Sequence, residues 1–477
     1  MRRFTIIASA ACAVVATTAL ASVPAVSAAP GHGPNGFVLP PGAIQHIMVI
    51  DVENEPLSAT FENPSSYMST VLEPQGELVE NYYATGHVSL DNYISQVSGQ
   101  APNLLTSSDC SGLTGGLYND VVPGTADPNT ATFPGQVDGQ GCVFPASVST
   151  IGNQLDAAHP STLGRNWREY AEDMGNAPAR DGGTTDPLGG TDCAHPAQTG
   201  GSGVDLTEFA QGPNATGSQV KSSVSDQYVD RHNPFIYFHS VTNDPATCNR
   251  DVVPLGSAST AADGSVHYVG HLAQDLSTPA TTPRFSFVSP NVCDDGHDAT
   301  CAGTNAAGGT AGGLTGVNLW LSTWMPLILG SPAYRSGHML VVITADEGSL
   351  TDTTAGDHET PGPDSANPGY SPLLNAPIPE FGGRTYYQLL GVKGLTPGQA
   401  PPAGTMPGGG RIGALLLNPR YVHDGTVDTA GSYNHYSALR TYEDLLGLDT
   451  GGSDGHGHLG FAATATDFGP DVFSVAP

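Results

Sequence analysis

The sequence predicts an α/β fold with a mostly parallel central sheet, and residues 338–348 are the strongest observation behind it. Their apolar run, rich in valine and isoleucine, is typical of a strand that is buried on both faces. The run stops on Asp346 and Glu347, and ligands of open α/β sheets gather at the carboxyl ends of such strands. Buried carboxylates are costly unless a cation or hydrogen bonds hold them, so we expect a metal site here.

Further runs predict strands that also end on polar residues, at positions 44–50, 234–238, 285–288 and 413–417. The first of them leads into Asp51, Glu53 and Asn54. Apolar side chains recur at helical spacing over 317–328 and 439–446. Glycine- and proline-rich stretches at about 177–220, 299–315 and 351–410 predict long loop insertions. No repeat or linker divides the chain, so we expect residues 29–477 to form one domain with a single active edge.

The first 28 residues have the features of a secretory signal, with Arg2 and Arg3 before an apolar run and small residues before the expected cleavage after Ala28. No later apolar segment is long enough to span a bilayer. The formal net charge is −30, and loss of the two leader arginines makes it −32. Such a charge argues against nucleic acid as a partner. We expect a secreted protein without a transmembrane anchor, which captures any phosphate locally through a cation or backbone amides.

Six of the seven cysteines lie after the leader, an even number that suits disulfides in an exported protein. The sequence leaves their connectivity open. We predict pairing between neighbours along the chain. A zinc–thiolate site is the alternative, although no Cys-x-x-Cys pair occurs. The predicted pairs are Cys110 with Cys142, Cys193 with Cys248, and Cys293 with Cys301.

Three further stretches carry candidate functional residues, and each has an ordinary structural interpretation as well. Ser89 opens a predicted helix, where it would also serve as an N-cap. Residues 294–298 hold three acids and His297, which equally suit a structural calcium loop. His435 precedes the last predicted helix, where a packed or capping histidine is common. Asp346 and Glu347 fit an ordinary role least well, because the end of a buried strand is a costly place for acids.

In this order, the stretches resemble the bacterial and fungal phosphoesterase family that holds phosphatidylcholine-type phospholipases C and acid phosphatases, within the alkaline phosphatase superfamily. The resemblance covers nearly all of the chain after the leader. It implies an alkaline-phosphatase-like three-layer α/β/α sandwich with long loop insertions. The segments that carry it are 44–54, 81–83, 87–93, 166–170, 232–235, 253–255, 289–291, 346–348 and 433–437.

The resemblance also implies a metal site. Glu53, Asn54, Asp346 and Glu347 would bind a divalent cation, either Mg²⁺, Ca²⁺ or Zn²⁺. Ser89 would complete the ligand set and attack phosphorus, and water would hydrolyse the resulting phosphoserine.

Other residues would then act on the substrate. Asn92 and the amides at the helix start would hold the nonbridging oxygens. His297 or His435 would stabilise the transition state and protonate the leaving alcohol. A protonated histidine would suit an acidic working pH.

The chain departs from the family pattern at several positions. Glu55 stands where a histidine is common, Val88 and Asp91 replace prolines, and Asn434 stands where an aspartate often precedes the histidine. Thr85 is a rival nucleophile. These differences leave the ligand set and Ser89 intact but put the substrate range in doubt.

The sequence therefore predicts a secreted, metal-dependent phosphoric ester hydrolase, and a phosphatase that acts on small monoesters is favoured. A phospholipase C acting on a phospholipid head group is the alternative, although no basic or aromatic amphipathic segment suits a lipid surface. A non-catalytic calcium-binding surface protein is the hypothesis from another class. A sulfatase is disfavoured, because no Cys/Ser-x-Pro-x-Arg motif surrounds Ser89. The physiological ester, the metal and the oligomeric state stay open.

Overall fold

The computed structural model describes residues 39–348 and 409–474, together with the backbone of three short strands between 377 and 407. Within these ranges the gaps are 87, 104, 107–108, 111–117, 124–134, 138, 161–164, 176–181, 197–226, 298–300, 302 and 464. The leader, much of the 177–220 insertion and most of the 351–410 insertion lie outside the described residues.

An eight-stranded sheet lies at the centre of the described structure. Its order is β8-β2-β7-β6-β1-β5-β3-β4, and among these strands only β7 runs antiparallel to its neighbours. The predicted α/β class with a mostly parallel sheet is therefore confirmed. The strands are β1 (His46–Val52), β2 (Glu77–Val79), β3 (Trp167–Ala171), β4 (Val252–Pro254), β5 (Phe285–Ser289), β6 (Met339–Ala345), β7 (Ala414–Leu417) and β8 (Thr426–Asp428).

Strands β1 and β6 position the candidate site. Every residue of both strands is buried, so both faces of the sheet are covered there. The two strands pair in parallel, and Val52 lies opposite Ala345 in the register. The two strands therefore end side by side, and the polar residues that follow each of them lie at the same edge of the sheet.

The described α-helices include both helices that were predicted from apolar spacing, which lie within α6 and α8. Helix α8 begins after Asn434, whose side chain accepts a 3.1 Å hydrogen bond from the Ser437 amide, and it ends at Gly447 in the left-handed region. The helices are α1 (Ser89–Ser98), α2 (Ile151–Ala158), α3 (His239–Thr242), α4 (Pro245–Asp251), α5 (His271–Asp275), α6 (Gly313–Gly330), α7 (Pro332–Arg335) and α8 (His435–Leu446). None of the described helices is both long and apolar enough to cross a bilayer.

Shorter elements complete the described structure. A π-helical turn covers Met68–Leu72, and 3₁₀ turns cover Glu73–Gln75, Asp230–His232, Pro234–Tyr237 and Gly460–Ala463. Small strand pairs join Tyr82–Tyr83 to Tyr433–Asn434, Val122–Pro123 to Gly139–Gln140, Thr184–Thr185 to Thr191–Asp192, and Ser257–Thr260 to Val266–Val269. A three-stranded sheet is formed by Pro377–Ile378, Arg384–Tyr387 and Thr405–Pro407.

The predicted strand at 234–238 is wrong. Residues Pro234–Tyr237 form a 3₁₀ turn instead. Proline lacks the amide hydrogen that a central strand needs, and its fixed φ suits the start of a helical turn. The apolar run is still buried, with the Phe235 ring 4.4 Å from the Trp167 ring. Its hydrophobicity reflects core packing, and its β pairing is limited to an isolated bridge between Phe238 and Phe144.

All three predicted disulfides are present. The Cys110–Cys142, Cys193–Cys248 and Cys293–Cys301 bonds close separations of 32, 55 and 8 residues. Cys248 lies in α4, and the other five cysteines of these bonds lie outside the helices and strands.

Candidate functional site

The ends of β1 and β6 bring the two predicted acidic segments together. The Asp346 amide donates to the Val52 carbonyl at 2.9 Å, and the Asn54 amide donates to Asp346 Oδ1 at 3.0 Å. Asn54 adopts a positive φ of 45°, which turns the chain sharply after Glu53. The structure therefore holds the Glu53–Asn54 pair against Asp346 through the backbone.

Ser89 reaches the same edge as the first residue of α1. Its Oγ donates to Glu53 Oε2 at 2.9 Å. The preceding residue, Val88, has φ 87°, a strained conformation for a β-branched side chain. The Val88 amide donates to Glu347 Oε1 at 3.0 Å. The proline that is common at this position in the phosphoesterase family could not make this bond, because it has no amide hydrogen. Ser89 is thus tied to both acidic segments.

Asn92 holds the turn that precedes Ser89. Its Oδ1 accepts 2.9 Å hydrogen bonds from the amides of Thr85 and Gly86, and its Nδ2 donates to the carbonyls of Gly86 and Val88. The Thr85 hydroxyl is buried and bonded to Asn92 and Ser95. In this geometry Asn92 shapes the turn before Ser89, and its predicted contact with substrate stays a prediction.

The acids at this edge are buried in a way that disfavours their charged forms. Burial raises the pKa of Asp346 well above its usual range, and the charges of Glu53, Glu347 and Asp51 raise it further. Burial also raises the pKa of Asp51, although a 2.6 Å hydrogen bond from Gln96 opposes the change. Several carboxylates this close together need protons or a cation to balance them.

The donor set fits a divalent cation. Glu53 Oε1, Asn54 Oδ1 and Asp346 Oδ2 are buried and accept no hydrogen bond from the described residues. Carboxylate and amide oxygens are hard ligands of the kind that Mg²⁺ and Ca²⁺ prefer. The Oε1 atom of Glu53 also lies 3.1 Å from His232 Nε2, without the geometry of a hydrogen bond.

His232 and Asp295 extend the cluster, and no role for His232 was predicted. His232 Nδ1 lies 3.6 Å from Asp295 Oδ2, and the ring stacks on Tyr93 at 5.1 Å. Burial lowers the pKa of His232 well below its usual range, and the charge of Arg231 lowers it further, which disfavours the protonated ring. The sequence feature that could have identified His232 as a site residue is the motif at 232–235, which contributed to the family resemblance but was assigned no chemical role.

The two predicted catalytic histidines occupy different environments. His435 is fully buried, with Nε2 2.8 Å from the Asp346 carbonyl and Nδ1 3.1 Å from the Tyr82 hydroxyl. Burial lowers the pKa of His435 to about 4. His297 is exposed, in a turn where its amide donates to Asp295 Oδ1 at 2.9 Å. Its nearness opposes the rise in the pKa of Glu53 that burial causes.

A second group with metal-ligating atoms lies beside β4, outside the predicted site. Among the described residues, Asp186, Asp192 and His271 bring such atoms within 4.8 Å of one another. Arg168 Nη1 donates to His271 Nδ1 at 2.8 Å, which leaves the ring hydrogen on Nε2, 2.7 Å from Asp186 Oδ2. In this tautomer the ring is neutral and Nε2 donates to Asp186, so Nε2 is not open to a metal and the group is a hydrogen-bonded network.

The chain is similar to curated fungal phosphatases over part of its length. It is 25% identical over 277 residues to a phosphate-repressible acid phosphatase from Penicillium chrysogenum, covering 58% of this chain and 42% of that protein. It is 24% identical over 276 residues to an acid phosphatase from Aspergillus fumigatus, covering 58% and 39%. The chain thus matches about two fifths of the length of these relatives. No family model matches the chain.

Solved structures show weaker similarity. A protein of the alkaline phosphatase superfamily from Vibrio parahaemolyticus aligns with 88% of this chain and 72% of its own, at 11% identity and a TM-score of 0.35. The PsFucS1 sulfatase from Pseudoalteromonas aligns with 89% and 73%, at 13% identity and a TM-score of 0.37. At these scores the similarity gives no information about activity.

Proposed function

We propose that this protein is a secreted, metal-dependent phosphoric ester hydrolase that uses Ser89 as its nucleophile and favours monoesters. The observation that carries the proposal is the hydrogen bond from Ser89 Oγ to Glu53 Oε2, at the point where β1, β6 and the start of α1 converge. An adhesion or calcium-binding surface has no need of a strained turn that presents a serine to a buried acid. The similarity to two acid phosphatases supports the same class of activity.

Glu53, Asn54, Asp346 and Glu347 would hold the cation. When bound, a divalent ion supplies positive charge that lowers the pKa of the serine hydroxyl and offsets the charge on phosphate. The orphaned oxygens of Glu53, Asn54 and Asp346 favour this ligand set. The hydrogen bond from Val88 to Glu347 keeps the nucleophile turn in register with the ligands.

The serine already directs its hydroxyl hydrogen at a base. Glu53 Oε2 takes this proton as the Oγ–P bond forms and the P–O bond to the alcohol breaks. A proton goes to the leaving alkoxide, and we assign this donation to His297, whose charge acts on Glu53. Water then attacks the phosphoserine, which releases inorganic phosphate and restores the hydroxyl.

We do not assign His435 a direct contact with the substrate. Both of its ring nitrogens face partners inside the protein, and its lowered pKa keeps it neutral at pH 5–7. We therefore expect it to position Asp346 through the backbone carbonyl. Of the two predicted histidines, His297 is therefore the one to which we assign protonation of the leaving alcohol.

The experiment compares the wild-type protein with Ser89→Ala on p-nitrophenyl phosphate, with Mg²⁺, Ca²⁺ or Zn²⁺ added singly and with EDTA. We expect hydrolysis that needs one of these metals and falls at least about 10³-fold in the variant. Thr85→Val is the matched control, because it removes a buried hydroxyl of the neighbouring turn. Undiminished activity of Ser89→Ala, or loss of activity in the control alone, contradicts the assignment.

Three esters separate the substrate classes. p-Nitrophenyl phosphate, p-nitrophenyl phosphorylcholine and p-nitrophenyl sulfate report monoesterase, phospholipase C-type and sulfatase activity. We expect the largest kcat/KM for the monoester. A preference for the diester would establish the phospholipase C alternative, and a preference for the sulfate would place the protein with the sulfatases.

A further inference from the structure

Arg231 places a buried positive charge beside the nucleophile helix. The chain has only 15 lysines and arginines against 45 acids, yet this arginine is 5% exposed and lies next to His232 in the Asp230–His232 turn. Its charge opposes the effect of burial on the pKa of Glu53. The Arg231 guanidinium is thus a cation near Glu53, and arginine is well suited to bind phosphate.

The carboxylate of Asp109 lies between Arg231 and the start of α1. Asp109 Oδ1 accepts a 2.9 Å hydrogen bond from the Leu90 amide, and Oδ2 lies 3.4 Å from Arg231 Nε. Leu90 directly follows Ser89, so this amide belongs to the first turn of the nucleophile helix. A helix amide and an arginine together form an anion site, and here a side chain of the protein fills it.

Asp109 is a costly choice for a helix cap. Val88 precedes the helix and offers no side-chain cap, so the hydrogen-bond acceptor comes from a loop 19 residues away. Burial raises the pKa of Asp109 to about 7, with contributions from the charges of Glu53 and Glu347 that Arg231 and the Leu90 amide oppose. An asparagine or a serine would cap the same amide without this repulsion.

The backbone around Asp109 is built to hold the carboxylate in place. Asp109 and Cys110 have φ values of 51° and 55°, a left-handed conformation that non-glycine residues adopt at a cost. The Cys110–Cys142 disulfide anchors the loop at the next residue. The Cys110 amide also donates to the Leu105 carbonyl at 2.8 Å. The strain and the anchor favour a functional reason for the contact with Leu90 and Arg231.

We propose that Arg231 and the Leu90 amide form the phosphate-binding site of this enzyme, and that Asp109 is a built-in competitor which occupies it between turnovers. The inference deepens the proposed function and rests on it. The substrate's phosphate displaces the carboxylate from both partners, and the carboxylate returns as inorganic phosphate leaves. Asp109 thereby weakens phosphate binding and limits inhibition by the product.

The test measures the affinity for inorganic phosphate by calorimetry with the activating metal present, and KM and kcat for p-nitrophenyl phosphate. For Asp109→Asn we expect the phosphate Kd and the KM to fall about tenfold, because the competing charge is gone and the cap remains. For Arg231→Gln we expect both to rise at least about tenfold. The double variant should bind phosphate no better than Arg231→Gln.

Glu80→Gln is the matched control, since it removes a carboxylate from an ion pair with Arg411 outside this contact. Asp109→Ser repeats the test with a shorter neutral cap if the asparagine variant does not fold. A folded Asp109→Asn or Asp109→Ser protein with unchanged or weaker phosphate binding overturns the competitor role. If the wild-type protein neither binds phosphate nor hydrolyses any ester, the proposed function itself has failed.

Discussion

The Val88 amide donates a 3.0 Å hydrogen bond to Glu347 Oε1, across 259 residues of sequence. This bond joins the strained turn before the candidate nucleophile to the acidic pair at the end of β6. Because Val88 holds φ at 87°, Ser89 begins its helix with the hydroxyl directed at Glu53. The orientation of the Ser89 hydroxyl thus depends on a backbone conformation that Glu347 helps to hold.

Val88→Gly should lower kcat while it leaves the free energy of unfolding nearly unchanged. Glycine adopts a positive φ at no steric cost but is more disordered in the unfolded chain, so the two effects offset to within about 1 kcal/mol. We expect kcat to fall about tenfold, because the turn no longer has to present Ser89 in one orientation. Urea unfolding and steady-state kinetics measure the two quantities. Val88→Ala keeps the backbone restriction, and an equal loss of kcat in that variant would assign the effect to side-chain packing.

His435→Gln should weaken metal binding without moving the pH dependence. Loss of the bond to the Asp346 carbonyl releases a ligand segment, and such supporting contacts are worth about 10–100-fold in metal affinity. The pKa of His435 lies near 4, so the ring is neutral between pH 5 and 7 in the wild-type protein. Calorimetry with the activating metal and a pH–rate profile provide the measurements.

Tyr82→Phe is the matched control for this change, because it removes only the hydroxyl at His435 Nδ1. A shift of the acid limb of the profile in His435→Gln would mean that this histidine titrates during catalysis. In that event the assignment of His297 as sole proton donor is wrong.

Asp192→Asn should make stability less dependent on pH. Burial and the neighbouring Asp186 raise the pKa of Asp192 to about 8, so the folded protein binds a proton there that the unfolded chain releases near pH 4. Wild-type stability is therefore lost as the pH rises from about 4 through about 8. We expect the variant and the wild-type protein to have the same Tm near pH 5. At pH 9 the Tm of the variant should be higher by about 2 °C, once the electrostatic effect is reduced for solvent screening.

The measurement is thermal unfolding in EDTA at both pH values, and Asp263→Asn on an exposed turn is the control. A Tm difference that stays constant with pH would show that Asp192 is charged throughout. A metal-dependent rise in wild-type Tm that the variant lacks would instead establish an ion at Asp186, Asp192 and His271.

Removal of single disulfides should destabilise the protein in the order of the loops they close. Loop-closure entropy gives about 4 kcal/mol for Cys193–Cys248, slightly less for Cys110–Cys142, and about 2.5 kcal/mol for Cys293–Cys301. Paired Cys→Ser variants in urea unfolding check the order. A larger loss at the eight-residue loop than at the others would show that native-state packing outweighs the entropy of the unfolded chain.

Several features followed from local patterns that the tertiary structure leaves unchanged. The apolar run of β6 predicts its burial, and the polar residues after β1 and β6 predict that these strands end at the same edge of the sheet. The apolar spacing of α8 and the order of the six cysteines predict a helix and three disulfides, all confirmed. The run at 234–238 misled because hydrophobicity alone does not distinguish a strand from a buried turn, and Pro234 decides between them.

The order of the motifs along the chain predicts the candidate metal ligands and nucleophile at this edge, which are Glu53, Asn54, Ser89, Asp346 and Glu347. How these residues meet depends on the folded chain, because hydrogen bonds and charges act over a few ångströms between residues that are far apart in the sequence. In the folded chain Asn92 hydrogen-bonds to the turn before Ser89, and both ring nitrogens of His435 face protein partners. Asp109 and Arg231 lie at the start of α1. These roles depend on contacts between segments, and no local pattern encodes them.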